Sequence, residues 1–250
     1  IVLLLLAVTL LLLYVLRLRK QRQKEVQRAD RMRSTFFTNI THEFRTPLTV
    51  IIGLAERMQL PTSADNLSAI GNTIMRQGRS MLELINQILD MAKATSANVE
   101  YDYEHGDVVG FIHTLVESTR ELTRKKQIEL LFVPSETCVL MDFVPDYLAK
   151  IVRNLISNAV KFAPEHGRIF LTTNVEDESL KLWVSDNGCG ISAEDLPHIF
   201  EPFWQSESNG ITIGSGIGLS LVQQLVATMG GNIEVKSAPG AGTVFLLSLP

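Results

Sequence analysis

The sequence predicts an α+β multidomain chain. It would hold the end of a transmembrane helix, a helical hairpin that forms a dimeric four-helix bundle, and an α/β two-layer sandwich. Three observations predict this fold class: an uncharged apolar start, two long segments with apolar residues at helical spacing, and strand-like runs that alternate with amphipathic helices. We divide the chain into residues 1–16, 17–33, 34–97 and 98–250.

Residues 1–16 carry no charge, and this run is slightly shorter than the roughly 20 residues that a bilayer requires. The chain also opens on Ile rather than Met, so we interpret the run as the tail of a longer transmembrane helix in a longer protein. A signal peptide is the alternative. It fits less well, because no basic region precedes the run and no small-residue cleavage site follows it.

The segment 17–33 contains eight Lys or Arg against Glu25 and Asp30, which predicts a cytoplasmic flank beside anionic lipid headgroups. The net charge of this flank is +6 and that of the whole chain is −4, so the other residues together carry a net charge of −10. That balance argues against direct nucleic-acid binding. Cys138 and Cys189 have no metal-ligand spacing and suit free thiols in a reducing compartment.

Two long helices are predicted at about 22–59 and 64–96, separated by a break that contains Pro61. Each carries an apolar stripe, and the first has the alternating spacing of a heptad seam. The stripe residues are Phe37, Ile40, Phe44, Ile51, Leu54 and Met58, then Leu67, Ile70, Ile74, Met81, Leu84, Ile85, Ile88, Leu89 and Met91. One hairpin cannot cover its own stripe, so we expect a homodimer. The alternative is a hairpin that packs on the C-terminal region of the same chain.

The region from residue 99 alternates strands and helices, which predicts a sheet with helices on one face. Strands are expected at about 98–104, 128–133, 168–175, 180–186, 231–237 and 242–249, and helices at about 145–162 and 217–229. Asp107 can cap a further helix whose apolar side holds Phe111, Ile112, Leu115, Val116 and Leu122.

Pro145 suits the first turn of the helix predicted at 145–162, and Pro164 stops this helix. The helix has two faces. Asn154, Asn158 and Lys161, spaced i, i+4 and i+7, form a narrow polar stripe. The other face is apolar and consists of Leu148, Ile151, Val152, Leu155, Ile156, Ala159 and Phe162. Amide oxygens can coordinate Mg²⁺, and a lysine one turn further on can neutralise phosphate. A solvated polar stripe is the alternative at this point.

The stretch "VSDNGCGI" (184–191) ends a predicted strand at Asp186. Gly188 and Gly190 allow a tight turn and a close approach of backbone to a ligand. A carboxylate placed there can accept a hydrogen bond from an exocyclic amine. A simple Asn-Gly turn is the alternative.

The stretch "GSGIGLSL" (214–221) places three glycines before a helix, where backbone N–H groups favour phosphate. The spacing matches neither a P-loop nor a dinucleotide fingerprint. The preceding long loop contains "FEPFW" (200–204), whose aromatic residues anchor either a lid or a minor satellite core.

His42 lies about half a turn from the seam and therefore faces outward, although simple solvation also explains such a position. Neutral imidazole is a good nucleophile, and Glu43 beside it can accept a proton. Pro47 lacks an N–H, so the carbonyl of Glu43 loses its helical partner and a bend is expected there. The remaining histidines, at 105, 113, 166 and 198, are expected to be structural.

Together these motifs resemble those of sensor histidine kinases of two-component systems, over about residues 30–250. "THEFRTPLT" is similar to the H box, "NLISNAVKF" to the N box, "DNGCG" to the G1 box, "FEPFW" to the F box and "GSGIGLSL" to the G2 box. "GAGTVF" (240–245) resembles the last glycine motif of this family. The sequence around His42 is similar to that of hybrid kinases.

The resemblance implies an ATP-binding domain at 98–250, a phosphoacceptor domain at 34–97, and ATP with Mg²⁺. His42 would accept the γ-phosphoryl group, Glu43 would act as base, and Thr46 would orient water for dephosphorylation. Asn158 would ligate Mg²⁺, with Asn154 as a second candidate. The implied nucleotide-binding residues are Asn154, Asn158, Lys161, Asp186, Gly188, Gly190, Phe203, Gly214, Gly216, Gly218 and Leu219.

The implied function is autophosphorylation on His42 and transfer to an aspartate of a response regulator, together with phosphatase activity. The receiver domain would be separate or fused after Pro250, and the kinase domains would lie in the cytoplasm at the inner membrane. One departure stands out: residues 191–213 contain no Lys or Arg, and Gln205 stands where the family often has a basic residue. Two alternatives remain, an ATP-binding dimer that signals without phosphotransfer and a structural membrane anchor.

Overall fold

The computed structural model describes residues 2–59, 63–94, 102–206 and 214–250, and for most residues before Ser34 it describes the backbone alone. The chain divides into two compact units, Ile1–Met81 and Leu82–Pro250. The first is helical, and the second contains all of the described strands.

The helical unit consists of α1 (Val2–Arg57) and the first part of α2 (Ala64–Ala94). The predicted helix at 22–59 thus begins earlier, since no Gly or Pro interrupts the chain before Pro47. The helix continues through Pro47 although this residue cannot donate a backbone hydrogen bond.

The predicted seam of α1 is only partly covered. Ile40, Phe44, Ile51 and Leu54 are half-buried, whereas Phe37 is 56% exposed. Other large apolar side chains of the two helices are also exposed: Leu48, Val50, Ile52, Met58, Leu67, Met75, Leu82, Ile85 and Leu89. Such surface is typical of a face that packs against another protein surface.

In the described part of the chain, no helix has both the length and the apolar character that a bilayer crossing requires. The predicted span at 1–16 falls mainly on positions whose side chains lie outside that description.

The second unit contains the end of α2 and ten further elements. They are β1 (Glu104–Asp107), α3 (Val108–Arg124), β2 (Glu129–Phe132), β3 (Leu140–Phe143), α4 (Pro145–Phe162), β4 (Arg168–Glu176), β5 (Ser179–Asp186), α5 (Gly218–Thr228), β6 (Asn232–Ser237) and β7 (Thr243–Leu249). The expected helix at 145–162 is confirmed, with Pro145 in its first turn and Pro164 just beyond its end.

Five strands form one sheet in the order β2-β4-β5-β7-β6, in which only β2 and β4 run parallel. In β5 and β7, buried residues alternate with half-buried ones, so one face of the sheet packs against the core. Helices α3, α4 and α5 contribute their apolar sides to that same core, which confirms the two-layer sandwich.

Helix α4 buries its apolar side almost completely. Leu148, Ile151, Val152, Leu155 and Ile156 are each at most 1% exposed. Their burial fixes the rotation of the helix about its axis, and so it fixes where the polar stripe on the other side points.

Several sequence predictions were wrong in detail. No strand was predicted at β3, which pairs with β1 in a separate antiparallel ribbon. The strand expected at 98–104 begins instead at Glu104, and residues 98–101 lie outside the described chain. Leu122 and Phe162 were assigned to apolar faces but are 53% and 37% exposed, although the adjacent Thr123 and Ala163 are buried.

Polar groups complete the ends of two helices. As predicted, Asp107 caps α3, and its carboxylate accepts bonds from the N–H groups of Val109 (3.2 Å) and Val139 (3.1 Å). The bond from Val139 contributes most to holding the pKa of Asp107 below its usual value. At the other helix, the ammonium of Lys126 donates to the carbonyls of Val160 and Lys161 (2.9 Å each) and Ala163 (3.3 Å).

Replacing Lys126 with Met should destabilise the second unit by about 1–3 kcal/mol, because the last carbonyls of α4 then lose a charged donor. Urea unfolding followed by circular dichroism measures this loss. Lys125→Met is the matched control, since Lys125 is exposed and adjacent. Equal stability of the two variants would show that the Lys126 bonds contribute nothing.

Candidate active site

Helix α4 places Asn154, Asn158 and Lys161 together on its less buried side, and all three are half-buried. The side-chain N–H of Asn154 donates to the carbonyl of Lys150 at 2.8 Å. Its Oδ1 lies 2.9 Å from the position that a Cβ on Gly218 would occupy, at the first residue of α5. The side chain of Asn154 therefore reaches from α4 to the start of α5.

Asn158 differs from Asn154, because no hydrogen bond to its side chain is recorded within the described chain. Its amide oxygen is therefore available to a ligand. No group of three or more His, Cys, Asp or Glu side chains that could hold a metal ion occurs in the part of the chain that is described. A single amide oxygen beside phosphate oxygens suits a magnesium ion, which keeps several non-protein ligands.

Lys161 brings a partly buried positive charge to the same side. Burial lowers its pKa, and none of the ion pairs found among the described residues includes it. Its Nζ lies 4.8 Å from the centroid of the Phe162 ring and 2.8 Å from where a Cβ on Gly214 would stand. A half-buried cation without a carboxylate is a suitable group for binding phosphate.

Beyond β5 the chain turns tightly beneath the end of α4. Gly188 donates its N–H to the Asp186 carboxylate at 2.8 Å, and a Cβ on Gly188 would stand 2.7 Å from the Phe162 carbonyl oxygen. Gly190 has φ +71° and would collide with the backbone of Ala238 if it carried a side chain. Both positions thus require glycine.

Asp186 is half-buried at the end of β5. Burial raises the pKa of its carboxyl above the usual value, and hydrogen bonds from the backbone of Gly188 and Thr243 partly oppose this effect. The folded chain therefore maintains a desolvated acidic group in a glycine-lined turn, which is unfavourable unless a ligand supplies a donor.

The third glycine motif forms a loop before α5. Gly214 and Gly216 have φ +109° and +68°, and Gly216 is pressed against the backbone of Phe203, whose N–H donates to its carbonyl at 2.9 Å. The N-cap residue of α5, Ile217, provides no side-chain hydrogen bond. The first N–H groups of α5 are therefore free of a side-chain cap and are oriented as in anion sites at helix starts.

Sequence reasoning missed what Gln205 does. It flagged this residue only as standing where a basic residue is often found, whereas its side-chain N–H donates to the Gly214 carbonyl at 2.9 Å. Gln205 therefore joins the two ends of the segment 206–213. Leu219, the remaining predicted contact, is half-buried and packs against the core.

His42, Glu43 and Thr46 lie on α1 in the helical unit, whereas all the predicted nucleotide-site residues lie in the second unit. His42 is exposed, as predicted. Burial raises the pKa of Glu43, and the nearby His42 lowers it to a smaller extent. The Thr46 hydroxyl faces the His42 carbonyl at 3.4 Å, which is a weak bond that a ligand can replace.

Comparison with known protein families gives two matches. Residues 32–97 match the "His Kinase A (phospho-acceptor) domain", and residues 143–250 match the "Histidine kinase-, DNA gyrase B-, and HSP90-like ATPase" family. Together the two matches cover more than half of the chain.

Individual proteins are similar across both units. The sensor protein GacS of Pseudomonas syringae pv. syringae is 32% identical over 91% of this chain, which spans 26% of the length of GacS. The crystal structure of full-length ShkA in complex with AMPPNP is similar with a TM-score of 0.66 and 29% identity, over 84% of this chain and 44% of ShkA. The structure of ThkA with the response regulator TrrA gives a TM-score of 0.69 at 22% identity, over 84% of this chain and 59% of that one, and this shows the fold alone.

The raised pKa of Asp186 predicts that its carboxylate lowers the free energy of unfolding in a pH-dependent way. The folded state binds this proton more tightly than the unfolded state does, so the carboxylate destabilises the fold above the raised pKa, and the cost disappears as the pH falls below the usual Asp pKa. Asp186→Asn, which keeps an acceptor for Gly188, should therefore be more stable than the parent at pH 7. The difference should shrink toward pH 4.

Urea unfolding at several pH values between 4 and 7 measures that difference. Asp177→Asn, in the exposed turn between β4 and β5, serves as the control. A parent that matches Asp186→Asn in stability at every pH would mean that the carboxylate carries no such cost.

Proposed function

The chain belongs to the sensor histidine kinases of two-component systems, and from this premise we propose that it uses ATP to phosphorylate its own His42 and passes the phosphoryl group to an aspartate of a response regulator. One observation carries the proposal. A single helix, α4, contacts both glycine motifs, through Asn154 at Gly218, Lys161 at Gly214 and the Phe162 carbonyl at Gly188.

These contacts support separate binding sites for adenine and for the phosphates along α4. Near the C-terminal end of α4, the carboxylate of Asp186 accepts a hydrogen bond from the exocyclic amine of adenine. This bond would offset the free-energy cost of desolvating the carboxylate. On its polar side, Lys161 and the N–H groups at the start of α5 bind the phosphates. Glycine at 188, 190, 214 and 216 allows backbone to approach the ligand closely.

A magnesium ion fits the amide oxygen of Asn158, which no residue of the described chain occupies. When bound, it would neutralise the charge that develops between the β- and γ-phosphates. Asn154 is the weaker candidate ligand, because its amide already donates to Lys150 and its oxygen faces Gly218.

The transfer step uses the side chains of α1. An imidazole nitrogen of His42 attacks the γ-phosphorus, the bond from that phosphorus to the bridging oxygen breaks, and ADP leaves. The proton on the other ring nitrogen passes to Glu43. Partial burial raises the pKa of this carboxylate, and a higher pKa makes it a stronger base.

Return of the phosphoryl group involves the response regulator. We propose that His42 donates to the receiver aspartate, and that the weakly bonded Thr46 hydroxyl orients water when the receiver is dephosphorylated. The receiver domain is either a separate protein or lies beyond Pro250. The exposed apolar residues of α1 and α2 support a homodimer in which two hairpins form a four-helix bundle.

The membrane assignment also belongs to this proposal. The uncharged run at 1–16 and the basic flank at 17–33 support an inner-membrane protein with its kinase domains in the cytoplasm. The kinase would then act on partners on the cytoplasmic side. Nucleic acid is not among these partners, because residues 34–250 carry a net negative charge.

Incubation with γ-labelled ATP and Mg²⁺ should give an acid-labile, base-stable label on the chain. His42→Gln should abolish the label, while His113→Gln, a change at another exposed histidine, should keep it. ATP binding without any label in the parent would instead favour a module that signals without phosphotransfer. Failure to bind ATP in a folded chain would favour a structural anchor.

Lys161→Ala should lower kcat/KM for ATP by roughly tenfold or more, because a charged hydrogen bond to phosphate is lost. Lys161→Arg should retain part of the activity. Burial lowers the pKa of Lys161, so ATP affinity of the parent should fall as the pH rises through that pKa, earlier than for an ordinary lysine, whereas the Arg variant should keep its affinity. Radiolabel assays across pH measure both effects.

Lys236→Ala is the control for this experiment, since Lys236 is exposed on β6. Near-normal activity of Lys161→Ala would show that another cation neutralises the phosphates.

A further inference from the structure

The end of α2 touches the glycine loop of the proposed nucleotide site. Gln87 and Ser215 are both half-buried, and the Ser215 hydroxyl donates to Oε1 of Gln87 at 2.7 Å. Ser215 stands between Gly214 and Gly216, the two loop glycines with positive φ. A helix that also carries part of the phosphoacceptor domain thus contacts the residues that we assign to phosphate binding.

Two further contacts hold the end of α2 to the same unit. Asp90 forms an ion pair with Lys150 of α4 at 2.7 Å, and the Asp90 side chain is only 18% exposed. The carbonyl of Ala94 accepts hydrogen bonds from Gln224 and Thr228 of α5, both at 3.3 Å. The bond between Gln87 and Ser215 is therefore one of several along 87–94, and it is the one that reaches the loop itself.

The position of the Ser215 hydroxyl is chemically specific. Its oxygen faces the N–H of Ile217 at 3.3 Å, so the hydroxyl lies at the start of α5, where the helix has no side-chain cap. The other members of the loop 214–218 are glycines and an isoleucine, so Ser215 has the only side-chain hydroxyl there. A hydroxyl has one proton, and in this structure Gln87 accepts it.

We propose that Gln87 and the phosphates of the nucleotide compete for the Ser215 hydroxyl, so that Gln87 lowers nucleotide affinity and bound nucleotide loosens the end of α2. The inference rests on the proposed nucleotide site and adds its regulation. An anionic phosphate oxygen is a stronger acceptor than a neutral amide oxygen, so the bound nucleotide takes the proton.

The coupling acts in both directions. Because binding free energies are linked, any signal that holds Gln87 against Ser215 lowers affinity for the nucleotide by the same factor by which the nucleotide weakens that contact. The Asp90 pair and the Ala94 bonds do not involve the loop, so they remain when the Gln87 bond breaks. Bound nucleotide therefore loosens the α2 end without detaching it.

The test measures binding of a non-hydrolysable ATP analogue with Mg²⁺ to the 250-residue chain by calorimetry. Gln87→Ala removes the competing acceptor and should tighten binding by roughly two- to tenfold, the range set by one hydrogen bond. Asn86→Ala, at the exposed neighbouring position, should bind as the parent does. On a Ser215→Ala background, Gln87→Ala should change nothing further, which completes a double-mutant cycle.

Hydrogen exchange gives a second readout that needs no variant. Amides in 87–94 should exchange faster when the analogue is bound to the parent, and this increase should be smaller in Gln87→Ala. Unchanged or weaker binding by Gln87→Ala, or an equal gain on the Ser215→Ala background, would overturn the competition. A parent that binds no nucleotide would refute the proposed function itself, so the two failures are distinguishable.

Discussion

The burial of α4 against the sheet is the constraint on which the rest of the second unit depends. Leu148, Ile151, Val152, Leu155 and Ile156 are almost completely removed from water, so the helix cannot rotate without exposing part of the core. Because side chains seven residues apart share one side of a helix, this fixed rotation sets the direction of the polar stripe. The side chains that we propose for ligand binding are thus held in place by apolar packing on the opposite side of the helix.

The glycine motifs follow from the same helix. Gly188 has no room for a Cβ because it lies against the backbone carbonyl of Phe162 at the end of α4, whereas Gly214 and Gly218 lie against the side chains of Lys161 and Asn154. Lys126 holds this end by bonding its last carbonyls. The proposed site maintains a desolvated carboxylate and a desolvated ammonium, which is unfavourable for folding and is the arrangement on which we base the proposed binding of an amine and phosphates.

Local signals in the sequence were reliable where one short segment determines its own structure. The cap by Asp107 and the prolines around α4 act within a few residues, and both predictions are confirmed. Prediction failed where distant segments decide the outcome. The strand β3 is short and exists through its pairing with β1, and Phe162 is 37% exposed although its spacing places it on the apolar face of α4. The bonds from Gln205 to Gly214 and from Ser215 to Gln87 had no signal beyond the residue types.

Helical and strand periodicities and glycine spacings are properties of contiguous residues, so the order of the elements, their apolar faces and the family's motifs can be read from the sequence alone. The tertiary structure decided which side chains meet. It placed Lys161 beside Gly214 and turned Asn154 toward Gly218. It also attached the end of α2 to the glycine loop. Those outcomes depend on the packing of residues up to 128 positions apart, and the free energy of such long-range packing is not encoded in any local pattern.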